Sequence, residues 1–219
     1  MQFRVFVGIT SILIGFAAES LRAADLLDNT NQKTEALLTG GSGVYGTNRK
    51  AMIFSVSQNI ELTNVALGLR DINSNPNTTK GTIALYAVDG SNNPTTSIAE
   101  ITYDSISFST AQYVDFALSG MSLTAGNSYA LVVLDFTATI WSNLSQAPVG
   151  SNGVSFVEGR FSTDGGTSWN SSSVDNAIYL QGTPVPEPSA VMLASVAAMI
   201  LLRSRKLRCS SISCHRSEN

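Results

Sequence analysis

Met52-Ile53-Phe54-Ser55-Val56-Ser57 sets Met52, Phe54 and Val56 in strict alternation with Ile53, Ser55 and Ser57. A period of two is the repeat of an extended chain whose successive side chains leave on opposite faces, so this stretch reads as a β-strand with one dominant buried face. Ile60 and Leu62 continue the pattern, and Val65, Leu67 and Leu69 resume it one residue out of phase. A slip of one residue would turn every later side chain to the wrong face, so a bulge or strand break is expected near Thr63-Asn64. Thr82 to Val88 and Tyr129 to Leu134 are apolar on both faces and read as central strands, while Val114, Phe116 and Leu118 bury one side of another. Ile178 and Leu180 are expected to close the sheet. Asp89-Gly90-Ser91-Asn92-Asn93-Pro94 and Ala125-Gly126-Asn127 supply residues that tolerate positive φ where turns are needed. From Asn29 to Asn176 no long stretch repeats every 3.6 residues, and no internal repeat suggests a propeller or solenoid. The fold class expected is therefore all-β, a jelly-roll-like β-sandwich.

The two ends of the chain have a different texture. Arg4, the apolar stretch Val5 to Ala18 and the small pair Ala23-Ala24 read as a secretory signal peptide over residues 1–23, cleaved after Ala23 or Ala24. Residues 24–183 then form the exported domain. Prolines at 184, 186 and 188 favour an extended spacer over residues 184–189. Residues 190–202 are apolar except for Ser195 and read as a single membrane helix, with Ala190, Ala194 and Ala198 at a spacing that permits close helix packing. Thirteen residues fall short of the roughly 20 that cross a bilayer, but a buried core helix would show a polar face and be followed by more fold. The basic cluster Arg203, Arg205, Lys206 and Arg208 opens a tail over residues 203–219 and places that end in the cytoplasm, hence the domain outside.

Val185-Pro186-Glu187-Pro188, the apolar run and the basic cluster together resemble the PEP-CTERM sorting signal. The resemblance covers Val185 to Arg208. This chain departs from the pattern in continuing past the basic cluster to Asn219. The resemblance implies an exosortase substrate, held transiently in the inner membrane, cut by that membrane protease and sorted to the cell surface or the exopolysaccharide matrix. The run Leu118-Ser119-Gly120 through Leu123-Thr124-Ala125-Gly126-Asn127-Ser128-Tyr129-Ala130-Leu131 is similar, more loosely, to a strand-loop-strand of choice-of-anchor surface domains. That resemblance brings no catalytic residues with it.

The composition of the exported domain excludes several chemistries. Its six basic side chains, Lys33, Arg49, Lys50, Arg70, Lys80 and Arg160, face thirteen acids, so a phosphate backbone would be repelled and no nucleic-acid partner is expected. The one histidine and both cysteines of the chain, His215, Cys209 and Cys214, lie in the tail. Ser-His-Asp, Cys-His and His-ligated zinc chemistry are thereby ruled out for the domain, as is a disulfide. No cofactor, metal or catalytic residue is expected. The one open enzymatic route is a carboxylate pair about 5–9.5 Å apart, as in a glycosidase, drawn from Glu100, Asp104, Asp115, Asp135 and Glu158.

Four stretches imitate sites. Gly41-Ser42-Gly43-Val44-Tyr45-Gly46 fits G-x-G-x-x-G, yet runs on into a strand rather than the helix a dinucleotide site needs, and reads as a loop. Asp71-Ile72-Asn73-Ser74-Asn75 begins like a calcium loop but has Pro76 and Thr82 where Gly and Glu belong, and reads as a solvated loop; the alternative is calcium held in some other loop geometry with Asp89 close by. Cys209 and Cys214-His215 are spaced too widely for haem attachment. Ser162-Thr163-Asp164-Gly165-Gly166-Thr167-Ser168-Trp169 resembles the Asp-box, in which Ser162, Asp164, Gly166 and Trp169 make a structural hairpin. For the main alternative function, a carbohydrate-binding module, the candidate glycan platform is Trp141 and Trp169, with Tyr86 and Tyr113.

Overall fold

The computed structural model describes residues 22–34, 40–72, 77–108 and 110–185; the expected membrane segment and basic cluster, Pro186, Glu187 and Pro188, and residues 1–21 of the expected signal peptide lie outside them. The described residues form strands and turns and contain no helix. One sheet has nine strands: β1 (Ala24–Asp28), β2 (Gly41–Gly43), β4 (Ile60–Asp71), β7 (Gln112–Ala117), β8 (Ser122–Leu123), β10 (Thr139–Leu144), β11 (Val149–Gly150), β14 (Asp175–Asn176) and β15 (Ile178–Pro184). The other has six: β3 (Arg49–Val56), β5 (Asn77–Val88), β6 (Pro94–Phe108), β9 (Ser128–Leu134), β12 (Val154–Ser162) and β13 (Asn170–Ser172). Every named pairing is antiparallel.

Alternation decides which side chains meet between the sheets. Met52, Phe54 and Val56 of β3, Ile83 and Leu85 of β5 and Leu131 and Val133 of β9 share one cluster with Val65, Leu67 and Leu69 of β4 and with Ile178 and Leu180 of β15. Burying such aliphatic side chains contributes roughly 1.5–3 kcal/mol each and is the main force holding the two sheets together. The phase slip in β4 is absorbed at Thr63, which has no partner on β15 between Leu62↔Gly182 and Asn64↔Gln181. β15 is last in sequence but interior in its sheet, flanked by β1 and β4, so it does not close an edge. Its pairing with β1 brings the start and the end of the domain together: Ala24 stands opposite Gly182, and Val185 leaves the sheet after donating its N–H to the Asn59 carbonyl at 2.8 Å.

On the outward side of that β1–β15 ladder the Tyr179 hydroxyl donates to Asp25 Oδ1 and accepts from Gln181. Burial, then the Asp25 and Asp28 carboxylates, push the phenol up to about 12. A raised folded-state value stabilises the fold fully below the unfolded phenol value of about 10 and is lost as pH climbs through 12. The expected result is a loss of urea resistance between about pH 10 and 12 that is smaller in the Tyr179→Phe variant, the remainder coming in part from Tyr103, whose phenol is also raised by burial.

Candidate functional site

Beside the shared core there is a second apolar cluster, on the outward face of the six-stranded sheet. Ala51 and Ile53 of β3, Ala84 of β5 and Ala130, Val132 and Leu134 of β9 are all buried there, with Tyr86, Val88 and Trp169 half-buried against them. Ile53 is fully buried, so β3 is apolar on both sides rather than on one. Three alanines in adjoining strands keep this floor low, which lets large rings lie on it.

Trp169 is delivered by the turn between β12 and β13. The Ser162 hydroxyl donates to Asp164 Oδ1 at 2.7 Å and accepts from the Gly166 N–H at 2.8 Å. Asp164 in turn accepts from the Ser168 N–H at 3.0 Å and the Ser168 hydroxyl at 2.6 Å. Gly165 and Gly166 turn the chain at φ of +75° and +90°, values that cost a side-chain-bearing residue steric strain. Two further bonds, Gly165 N–H to the Thr47 carbonyl and the Thr47 hydroxyl to the Thr163 carbonyl, pin the turn to the start of β3. Hydrogen bonds from Ser168 and then Ser162 hold the Asp164 carboxyl well below the usual carboxylate range. A depressed folded-state value contributes stability above about pH 4 and loses it as pH falls through that depressed value. Tryptophan emission from Trp169 should therefore shift to the red on strong acidification, whereas the Asp164→Ala variant should show the exposed spectrum already at neutral pH.

Next to the floor, on β12, Glu158 and Arg160 form an ion pair at 2.9 Å with side chains 26% and 14% exposed. The β5–β6 turn reaches across to them: the Asn92 amide donates to Glu158 Oε1, and Arg160 donates to the Ser91 carbonyl and Asn93 Oδ1. Burial opposes the charge on Glu158, but Asn92 and Arg160 outweigh it and its carboxyl lies below the ordinary value. Asp89 ties the same turn by accepting from the Ser91 and Asn93 N–H groups, each at 2.8 Å. Between this turn and the β8–β9 loop opens a groove of ≈ 570 Å³, lined by Val88, Asp89, Asn92, Ile98, Asn127 and Tyr129 among others. Ile98 is 51% exposed there.

The other candidate residues scatter. Trp141 is a correction: it is 0% exposed, inside the main core, with its indole N–H donating to the Ala177 carbonyl at 2.8 Å, so it cannot be a glycan platform. Tyr113 is half-buried and pairs with Gly68 on the other sheet, away from Tyr86 and Trp169. Asp104 and Asp135 line a pocket of ≈ 220 Å³ with Lys80, Gly81, Thr82 and Thr102. Asp115 instead pairs with Lys33 at 3.0 Å on the nine-stranded sheet, Glu158 with Arg160, and Glu100 is exposed on β6. Among the described residues no group of three or more metal-ligating side chains occurs. Gly41-Ser42-Gly43 is strand β2, and at Gly41 a Cβ would overlap the Ile140 side chain and the Trp141 carbonyl. Asp71 ends β4, while Asp89 follows the far end of the 12-residue β5, roughly 35 Å of strand away, so the two are not neighbours. Asn73, Ser74 and Asn75 lie outside the described residues. Val185, the one described residue of the sorting motif, is 45% exposed.

The convergence of Tyr86, Trp169, Glu158, Arg160 and Asn92 on one face was missed in the sequence. Its signal was the apolar residue at outward positions 51, 53, 84, 130 and 132, where a solvated sheet would carry polar ones. No family model, curated protein or solved structure matches the chain.

Proposed function

We propose that the chain is an exported, non-catalytic protein of the cell surface or exopolysaccharide matrix, with a structural or adhesive role. In this reading a signal peptide directs export, the PEP-CTERM-like signal holds the protein in the inner membrane, and an exosortase-type protease releases the domain, a jelly-roll-like sandwich. The observation that supports it best is the pairing of the first and last strands. Ala24 stands opposite Gly182, and the strand ladder stops at Pro184, opposite Ile60, one residue short of the Pro-Glu-Pro motif. Both junctions with the export segments therefore lie at one end of the domain, and the fold is complete before the proposed cut. Val185, the first residue of the motif, is exposed where the chain leaves β15.

The experiment is the intact mass of the protein recovered from membrane and extracellular fractions of its native host. A released species beginning near Ala24 and ending near Pro186 is the expected result. A species found only in the membrane and still ending at Asn219 would overturn the sorting reading.

A further inference from the structure

We infer that the outward face of the six-stranded sheet binds a neutral hexopyranose chain, which would run from the groove beside Val88 and Asn92, past Tyr86, to Trp169. The inference rests on the export reading only for where such a glycan would be met. Three observations carry it. First, Tyr86 and Trp169 are each half-buried and packed against an alanine- and valine-rich floor. An aromatic ring fixed in this way offers an apolar surface to the C–H face of a sugar at little entropic cost, since its rotamer is already set.

Second, the groove and that floor share residues. Val88 both packs against the second cluster and lines the groove, and Asn92 both lines the groove and bonds Glu158 beside the floor. Its ≈ 570 Å³ lies within the range of small-ligand sites, and Asn127 and Ser128 add amide and hydroxyl groups to its wall. Sugar hydroxyls need donors and acceptors together, and this wall offers both.

Third, the charge selects the ligand. Glu158 and Arg160 neutralise one another, and Asp89 is committed to its own turn. No lysine or arginine lines the groove. Within the groove an anionic polysaccharide would find no surplus cation; at the Trp169 end the one outward-facing cation of β3, Arg49, is packed against Gly166 of the turn, and the alginate arm of the test reads its influence.

The test uses protein purified from its native host, with the host's own exopolysaccharide, hydroxyethylcellulose and soluble starch as neutral probes and alginate as the anionic one. Both tryptophans emit, so the emission titrations are run in the Trp141→Phe variant, whose emission comes from Trp169 alone. At least one neutral probe should give a saturable emission shift. Tyr86→Ala and Trp169→Ala should each weaken that binding at least tenfold, with Trp169→Phe retaining most of it. Tyr86→Ala does not touch the hairpin, so it keeps the test valid if Trp169→Ala disturbs the turn. Absence of binding to every neutral probe, binding to alginate alone, unchanged affinity in Tyr86→Ala, or a dimer in solution that shields Trp169 would each overturn the inference. An exported, processed protein that binds no glycan overturns this inference alone; glycan binding by a protein still ending at Asn219 overturns only the sorting reading.

Discussion

Trp141→Ala is expected to lower the stability of the domain by about 3–5 kcal/mol, the range found when a large aromatic is cut back inside a packed core. Trp141 is among the largest fully buried side chains, sits in the main cluster between the sheets, and belongs to β10, which stands against both β2 and β4. Removing the indole leaves a void that the neighbouring strands can close only by shifting the ladder they belong to. The hydrogen bond is the smaller part of the loss, because the Ala177 carbonyl also accepts from the Gly68 N–H at 3.1 Å and keeps that partner. Trp141→Phe, which restores most of the volume and none of the bond, should therefore cost only about 1–2 kcal/mol. Urea titrations of the two variants decide between packing and bonding as the source. Equal losses would mean that the bond dominates and that the cavity is unimportant.

The same residue shows where the sequence misleads. The alternation around Met52, the one-residue slip in β4 and the doubly apolar runs of β5 and β9 were legible because they depend on local period alone. Each has its counterpart in the ladders. Trp141 was misjudged because Ile140, Ser142 and Asn143 around it mix polar and apolar types, and only the approach of Gly41 and Ala177 from distant segments makes its surroundings dry. Ser142 and Thr139, fully buried in the same strand, carry the same lesson. The hairpin at Ser162 was readable as a local motif, since its bonds join residues at most four apart. The face it overhangs was not, because Tyr86 and Trp169 pack on one cluster only through three intervening strands. The position of β15 inside its sheet escaped for a related reason: strand order is set by long-range pairing, to which a single sequence gives no period.

Asn29→Asp should be as damaging as the loss of Trp141, and its cost should depend on pH in a way that no cavity explains. Asn29 is 2% exposed. Its amide donates to the Gln146 carbonyl at 3.1 Å and the Asn176 carbonyl at 3.0 Å, and its Oδ1 accepts the Ile178 N–H at 2.9 Å. One side chain thus ties the end of β1 to the start of β15 and to β14. Exchange of the NH2 for oxygen keeps the shape but turns an acceptor toward two carbonyl oxygens, and at neutral pH it buries an unpaired charge. A penalty of about 3–5 kcal/mol is expected there. Asn29→Ala, which orphans the same backbone groups without a charge, should cost roughly 1–3 kcal/mol. Burial and the two carbonyls would raise the introduced carboxyl above its unfolded value of about 4, because only the protonated form can donate. Its stability contribution is then fullest below pH 4 and is lost as pH rises through the raised value. Relative to the parent protein, Asn29→Asp should accordingly recover urea resistance as pH is lowered from 8 to 5, while the deficit of Asn29→Ala stays constant. A deficit in Asn29→Asp that did not change with pH would show that the amide protons are not what holds these strands together.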